Sequence, residues 1–296
     1  MMQGWVIYNG HLPSSKFLSY AEWIKEAATK KNIKINVVKN NAMLSMIDSQ
    51  GSHLLKQAHE AQPDFVLFLD KDIALAKQLE QLGIPVFNSS KCIDICDNKI
   101  TTYQHLAKHK LPIPKTIIAP KIFPGVKEID TTSYLAIERE LEYPMVVKEA
   151  YGSFGEQVYL IHSRQALFAL IQALEDRPFV IQEYISSSYG RDIRLNVVGD
   201  QVVASMIRTA KNDFRANVAV GGTTEAYQPT EQEISLALAA AKAVEASFAG
   251  VDLLFGPNSQ PIICEVNSNA HIQGTYQSTG INVADYMIDY IVRTLD

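Results

Sequence analysis

Residues 65–70, FVLFLD, leave this chain few ways to fold. Five consecutive apolar side chains alternate above and below a strand, so both faces of the sheet holding them must be covered. The neighbouring segments repeat a strand–helix alternation. GWVIYNG (4–10) reads as a strand ending in glycine, and residues 15–31 carry Phe17, Tyr20, Trp23, Ile24 and Ala27 on one helical face. IKINVV (33–38) is a strand, 52–61 and 72–82 are helices, and GIPVFN (83–88) is another strand. The spacing predicts a parallel α/β sheet over about residues 1–90.

Beyond residue 90 the pattern changes to α+β. A helix is expected over 92–110, ending before the two prolines of LPIPKT, and others over 133–141 and 163–175. Between them lie the strands YPMVVKEA (143–150) and, after YGSFGEQVYLI (151–161), PFVIQEYI (178–185). Three strand-like runs follow, DIRLNVVG (192–199), QVVASMIRT (201–209) and FRANVAVGG (214–222), with Gly199-Asp200 as a hairpin turn. An alanine-rich helix (230–247), the strands 251–256 and 261–267, and a last helix (282–294) complete the chain. No internal repeat and no long linker interrupts it.

Composition narrows the function. With 47% hydrophobic residues the chain is no disordered segment, and its net charge of −5 argues against a dedicated nucleic-acid binder. No run approaches the roughly 20 apolar residues of a membrane span, and no basic-then-apolar leader opens the sequence. Cys92, Cys96 and Cys264 make no disulfide framework. Cys92 and Cys96 fall on one side of a helix, where reduced thiols are the plainer reading and a metal or redox pair the other. The expected compartment is the cytoplasm.

Four groups of residues suggest chemistry. The loop YGSFG (151–155) presents Gly152, Ser153 and Gly155 between two strands, as a backbone cradle for phosphate or as an ordinary hairpin connection. Lys148 lies in a strand built for burial, where a lysine needs a fixed anion or an outward path; Lys99, read alone, is a solvent lysine. Asp252, Glu265 and Asn267 are hard oxygen donors on neighbouring strands, with Glu265 and Asn267 on one face, suited to Mg²⁺ or to a salt-bridged surface. Arg191, Arg194, Arg208 and Arg215, with Asn217, form a cationic set able to clamp a carboxylate or phosphate, or else scattered over the surface.

Taken in order, DNK (97–99), PMVVKEAYGSFGEQV (144–158), QEYI (182–185), GRDIRLNVVGDQVVASMIR (190–208), FRANVAVGG (214–222) and ICEVNSN (263–269) give the pattern a family. The chain resembles the ATP-grasp superfamily and, within it, the RimK-like carboxylate–amine ligases, over its full length and most weakly in the first 90 residues. The resemblance implies an ATP-grasp fold: an N-terminal parallel-sheet α/β domain (1–90), then two α+β lobes (91–180 and 181–296) enclosing ATP. It implies that Lys99 and Lys148 contact ATP phosphates, with Lys148 also on the adenine side. Gly152, Ser153 and Gly155 would be a mobile lid, and Gln182, Glu183, Tyr184 and Ile185 would line adenine. Asp252, Glu265 and Asn267 would hold one or two Mg²⁺, or Mn²⁺ in their place. Arg208, Arg215 and Asn217 would stabilise the transferred phosphoryl group, with Arg194 a lesser member.

Two departures stand out. Ser187 occupies the position where relatives carry an acidic ribose ligand, which leaves Asp192, a serine or a weaker ribose contact. The segment NAHIQGTYQSTG (269–280) carries His271, Gln273 and Tyr276 where relatives have small residues and proline, so the glutamate-ligase substrates do not transfer directly. The implied reaction joins an amine to a small-molecule or peptide carboxylate through an acylphosphate, without a covalent protein nucleophile and with His271 as a candidate base or a mere pocket wall. Peptide synthesis of the D-alanine type and kinase-like transfer are neighbouring outcomes. A nucleotide-binding regulatory or assembly protein of the same fold is the competing class, against which the intact Lys148, Asp252, Glu265 and Asn267 count. Asn9, His11 and Lys39 are placed at strand ends toward an acceptor. Family members often self-associate, which leaves a homo-oligomer and a monomer both open; neither nucleic acid nor membrane is expected as partner.

Overall fold

The computed structural model describes residues 2–12, 15–56, 62–152, 155–216 and 222–296. Helix α1 (Ser15–Thr29) joins β1 (Gln3–Tyr8) to β2 (Lys34–Lys39), a hairpin of β3 (Met43–Asp48) and β4 (Gly51–Lys56) follows, and then come β5 (Phe65–Leu69), α2 (Ile73–Gln81) and β6 (Val86–Phe87). Strands β2-β1-β5-β6 form the expected parallel sheet, with Val6 level with Val37 on one side and Leu67 on the other. Strand alternation sends Val6, Tyr8, Leu67 and Leu69 toward Tyr20, Ile24 and Ala28 of α1. It sends Trp5, Ile7, Val66 and Phe68 toward Leu75 and Leu79 of α2. The all-apolar run is thus covered on both faces.

One expectation fails in this part. Residues 52–56, read as the start of a helix, belong to strand β4, which pairs antiparallel with β3 from Met43↔Lys56 to Asp48↔Gly51. The turn decides it: Gly51 takes φ +122, closed to most side chains, and hands the chain back along β3. Gln78 of α2 then donates to the carbonyls of Met46 and His53, fixing the hairpin to the domain. Residues 57–61 of the same expectation lie outside the described residues. The strand expected over 83–88 shortens to the two residues of β6.

The helix expected over 92–110 is two helices, α3 (Ser90–Asp97) and α4 (Lys99–Lys108), broken at Asn98 (φ −107, ψ 111). Asn98 accepts a hydrogen bond from the Ile100 N–H and so caps the second helix, as asparagine does at an N-terminus. Next come β7 (Thr116–Ile118), β8 (Met145–Glu149), β9 (Val158–Ile161), α5 (Arg164–Leu174) and β10 (Phe179–Glu183); the helix expected over 133–141 is a 3₁₀ segment, Thr132–Arg139. The strands form an antiparallel sheet, β7-β10-β8-β9. Met145, Val147, Phe179 and Ile181 pack on Leu167, Ile171 and Leu174 of α5.

The last part contains β11 (Arg191–Val198), β12 (Gln201–Thr209), β13 (Thr223–Ala226), α6 (Glu231–Ala243), β14 (Phe248–Phe255), β15 (Pro261–Asn267), α7 (Gln273–Thr279) and α8 (Val283–Leu295). Its sheet, β13-β12-β11-β14-β15, is antiparallel throughout, with Gly199 and Asp200 turning β11 into β12. Ile193, Leu195, Val251 and Ile263 pack on Leu236, Ala237 and Ala240 of α6, which leaves the other face for polar residues. The strand expected over 214–222 is absent at residues 214–216, and 217–221 lie outside the described residues.

The chain closes on its own beginning. Met287, Ile288 and Ile291 of α8 join the core formed by α1 and the first sheet. Asn88, just after β6, is 2% exposed and spends its whole amide across the same junction. Its Nδ2 donates to the carbonyls of Phe248 and Ser268, and its Oδ1 accepts from the N–H groups of Ser247 and Phe248. Among the described residues, no helix is long and apolar enough to cross a membrane.

Candidate active site

Lys148 and Gln182 stand on the face of the second sheet opposite α5, and both are buried. A buried ammonium is costly unless it is met by polar partners. Lys148 Nζ donates to the Tyr103 hydroxyl at 3.0 Å and lies 3.8 Å from Cys264 Sγ. The Tyr103 hydroxyl donates to the Cys264 carbonyl at 2.6 Å and sits 3.2 Å from Gln182 Oε1, while Gln182 Nε2 donates to Thr116 Oγ1. Residues of α4, β8, β10 and β15 therefore meet at one point, and the second sheet touches the third beside Glu265. Burial works against the charge of Lys148; Cys264, Tyr103 and Glu265 outweigh it and raise its pKa. Burial pushes the Cys264 thiol up, which leaves it a poor nucleophile.

Tyr103 escapes the sequence reading. The available signal is its spacing from Lys99, four residues on and so on the same side of α4. Lys99 itself is no ordinary surface lysine. The break at Asn98 makes it the first residue of α4; its N–H donates to the Ala150 carbonyl and its Nζ to the Gly152 carbonyl at 3.3 Å. Burial lowers its pKa, opposed by Glu265 and reinforced by Lys148.

The glycine loop is held from two sides. Gly152 takes φ +144, and a Cβ there would come 2.4 Å from Gln157 Oε1. The Gly155 carbonyl accepts from Arg215 Nη1 at 2.5 Å. Arg215 lies on a non-strand segment, oriented by two further bonds to Asp213. Ser153, Phe154 and Asn217 lie outside the described residues.

The polar face of the third sheet carries the acidic set. Strand register puts Asp252 opposite Glu265 and Gly250 opposite Asn267. Just before Glu265, where the register shifts between Asp252 and Leu253, Cys264 is the extra residue of a bulge, so it turns toward Lys148 while Glu265 and Asn267 stay in register with β14. Asp252, 3% exposed, accepts from Arg194 Nε at 2.7 Å and Nη2 at 2.6 Å, and pairs with Arg208 Nη2 at 2.8 Å. Arg208 continues the chain: its Nε and Nη2 each donate to Asp192 at 2.6 Å. Arg194, Asp252, Arg208 and Asp192 are thus an alternating row of charges. Burial opposes the Asp252 charge, but Arg194 and Arg208 prevail and hold its pKa below the ordinary carboxylate value.

This row bears on three expectations. Both oxygens of Asp192, a candidate ribose ligand, are taken by Arg208, and Ser187 Oγ donates to the Phe255 carbonyl. Arg208 is committed to two carboxylates. Arg191 stands apart from the set, stacked 4.8 Å over the Phe255 ring. Toward the proposed adenine edge, the Glu183 N–H donates to the Lys115 carbonyl and its Oε1 accepts from the Lys115 N–H. The Ile185 carbonyl accepts from Ser188, and the Tyr184 ring meets Phe214 edge-on at 6.4 Å. In the first domain Asn9 Nδ2 lies 3.2 Å from both oxygens of Asp70.

The donor set suits a hard divalent cation. Among the described residues no three His, Cys, Asp or Glu side chains cluster as a metal site. Glu265 and the amide oxygen of Asn267 are oxygen donors of the type Mg²⁺ takes when phosphate and water fill the other positions. Asp252 Oδ1 accepts from Arg194 and Oδ2 from both Arg194 and Arg208, which leaves one of the carboxylate's about four acceptor positions for a cation.

Comparison with known proteins agrees with this geometry. The RimK-like ATP-grasp domain matches residues 96–291. The uncharacterized protein MG012 homolog of Mycoplasma pneumoniae is 32% identical over 271 residues, 90% of this chain and 91% of that protein. The ribosomal protein bS6–L-glutamate ligase of Escherichia fergusonii is 37% identical over 223 residues, covering 74% of this chain and 71% of that protein. Among solved structures, the ATP-grasp ligase PsnB with a phosphomimetic variant of its minimal precursor, Mg and ADP superposes with a TM-score of 0.71 at 16% identity, over 100% of this chain and 99% of that one.

Proposed function

Because the chain belongs to the RimK-like ATP-grasp family, we propose that it is an ATP-dependent ligase joining an amine to a carboxylate, with release of ADP and phosphate. The carrying observation is the meeting of Lys148 on the second sheet with Tyr103 and Cys264, one residue before Glu265 on the third. A cation and a hard-oxygen carboxylate from two sheets are thereby brought near each other, as transfer of a phosphoryl group requires. The three sheets support a partition into 1–90, 91–180 and 181–296, with the nucleotide between the last two and α8 returning to the first.

In this reading Lys99 and Lys148 hold ATP phosphates, and Gln182, Glu183, Tyr184 and Ile185 line the base. Glu265, Asn267 and Asp252 hold one or two Mg²⁺. Bound there, the cation would neutralise charge on the phosphoryl oxygens. The substrate carboxylate attacks the γ-phosphorus, and an amine then attacks the resulting acylphosphate. Arg215 and the Arg194–Asp252–Arg208 row orient the acid and steady the charge that develops. The backbone around Gly152 and Gly155, tied to Lys99 and Arg215, excludes water from an intermediate that hydrolyses readily. Mg and ADP in the PsnB complex support the cofactor assignment, and the bS6–L-glutamate ligase supports an amino acid as the amine.

The test is ADP release with Mg²⁺, ATP, a panel of carboxylates and the common amino acids, with product masses measured. Release that needs both co-substrates, with a product equal to their sum less water, supports the ligase. Absence of ATP binding together with absence of stimulated release rejects it.

A further inference from the structure

A pocket of about 290 Å³ opens between α1 and the start of α7, with Lys16, Ser19, Trp23, His271 and Gln273 among its walls. It is built from the two ends of the chain, and none of the described residues lining it is acidic. Its aromatic walls are supported from behind. The His271 ring lies 5.3 Å from Phe17 and 5.5 Å from Tyr20, and Trp23 meets Tyr276 edge-on at 5.1 Å. Burial first, then the positive charges of Lys16 and Arg194, lower the His271 pKa below its ordinary 6.5. At neutral pH the ring is therefore uncharged, in a wall that also carries the Lys16 ammonium.

The pocket also connects to the charged row. Ala270, next to His271, accepts a hydrogen bond from the Tyr20 hydroxyl at 3.3 Å. It packs against the bare backbone of Gly250, where a Cβ would come 2.5 Å from Ala270 Cβ and 3.5 Å from Arg194 Nε. The turn from Asn267 to His271 thus runs directly from the proposed metal ligands to the pocket wall. Sites for small organic ligands span about 300–1,000 Å³, and this one lies at the small end.

We propose that this pocket receives the acid to be activated, as a small organic anion with a flat, unsaturated body. Its carboxylate lies on the Lys16 side and its flat part against Trp23 and His271. The inference rests on the ligase reading for its role, and it selects a metabolite-sized acid over a protein tail as the acceptor.

Calorimetric titration of the full chain with 4-hydroxybenzoate, 4-hydroxybenzamide and cyclohexanecarboxylate tests it. The flat acid should bind at least about tenfold more tightly than the uncharged amide and than the puckered acid, since a hydrogen bond to a charged group commonly carries about that factor. Lys16→Gln should abolish the preference for acid over amide, and Trp23→Leu should weaken both flat ligands. Lys16 is exposed, so its variant keeps the test decisive if Trp23→Leu unfolds. No binding of the flat acid, equal binding of acid and amide, or an unchanged preference in Lys16→Gln overturns the proposal. A non-hydrolysable ATP analogue titrated into the same samples separates the two claims: loss of nucleotide binding alone counts against the ligase, and loss of acid discrimination alone counts against the pocket.

Discussion

Arg194 grips Asp252 through two parallel hydrogen bonds, Nε to Oδ1 at 2.7 Å and Nη2 to Oδ2 at 2.6 Å, across adjacent strands of the third sheet. The register of β11 on β14 sets the two residues opposite each other. Removing one partner of a buried ion pair leaves the other charged and uncompensated, which costs more than the pair contributes net. Asp252 keeps Arg208 as a partner, so Arg194→Ala should destabilise the fold by about 1–3 kcal/mol, less than the loss of a sole partner would. Arg194→Lys should recover only part, because an ammonium cannot reproduce the planar fork. Denaturant midpoints at constant slope measure both.

Lys148→Met exchanges a buried charge for an apolar chain of similar shape. Stability should be unchanged or slightly higher, because Lys148 is buried against Tyr103 and Cys264 without a carboxylate bonded to it. Nucleotide affinity should fall by about tenfold or more, from the loss of a charged hydrogen bond to phosphate. Thermal melting and nucleotide titration on one sample separate the two effects.

Asn88→Ala removes four hydrogen bonds from the junction between β6 and β14. Unpaired buried groups cost about 1–3 kcal/mol each, with water recovering part, so a loss of about 3 kcal/mol or more is expected. Asn88→Asp should recover only the bonds that Oδ1 accepts. Chemical unfolding of the three proteins gives the order.

The lowered pKa of His271 has a consequence for stability. The unfolded chain binds a proton at this site at a higher pH than the folded chain does, so stability rises with pH across that window. The contribution is intact above the ordinary value of 6.5 and declines as pH falls from there toward the folded value. His271→Gln should flatten this part of the profile. Melting temperatures of both proteins between pH 7.5 and 5 check the sign.

Much of this was readable from residues. FVLFLD announced a sheet covered on both faces, and the alternation of Glu265 and Asn267 placed them together, because strand period depends only on local geometry. The hairpin at 43–56 was hidden because the residues of β4 fit either a helix or a strand, and a turn at Gly51 decides. The break at Asn98 was hidden in a stretch with continuous helical composition, although asparagine before Lys99 is a cap signal. Tyr103 and the grip of Arg194 on Asp252 depend on which elements become neighbours, and 58 residues separate the latter pair. Ser153 and Asn217 remain assignments from the sequence alone.

The central claim is that Glu265 serves phosphoryl transfer and not the fold. The direct measurement is ADP release by Glu265→Gln under saturating Mg²⁺, ATP, acid and amine, alongside its melting temperature. The account predicts turnover reduced by at least about a hundredfold, as when one charge-stabilising group is removed from a transition state, at a melting temperature within about 2 °C of the parent. Undiminished turnover in a normally folded Glu265→Gln protein would contradict it.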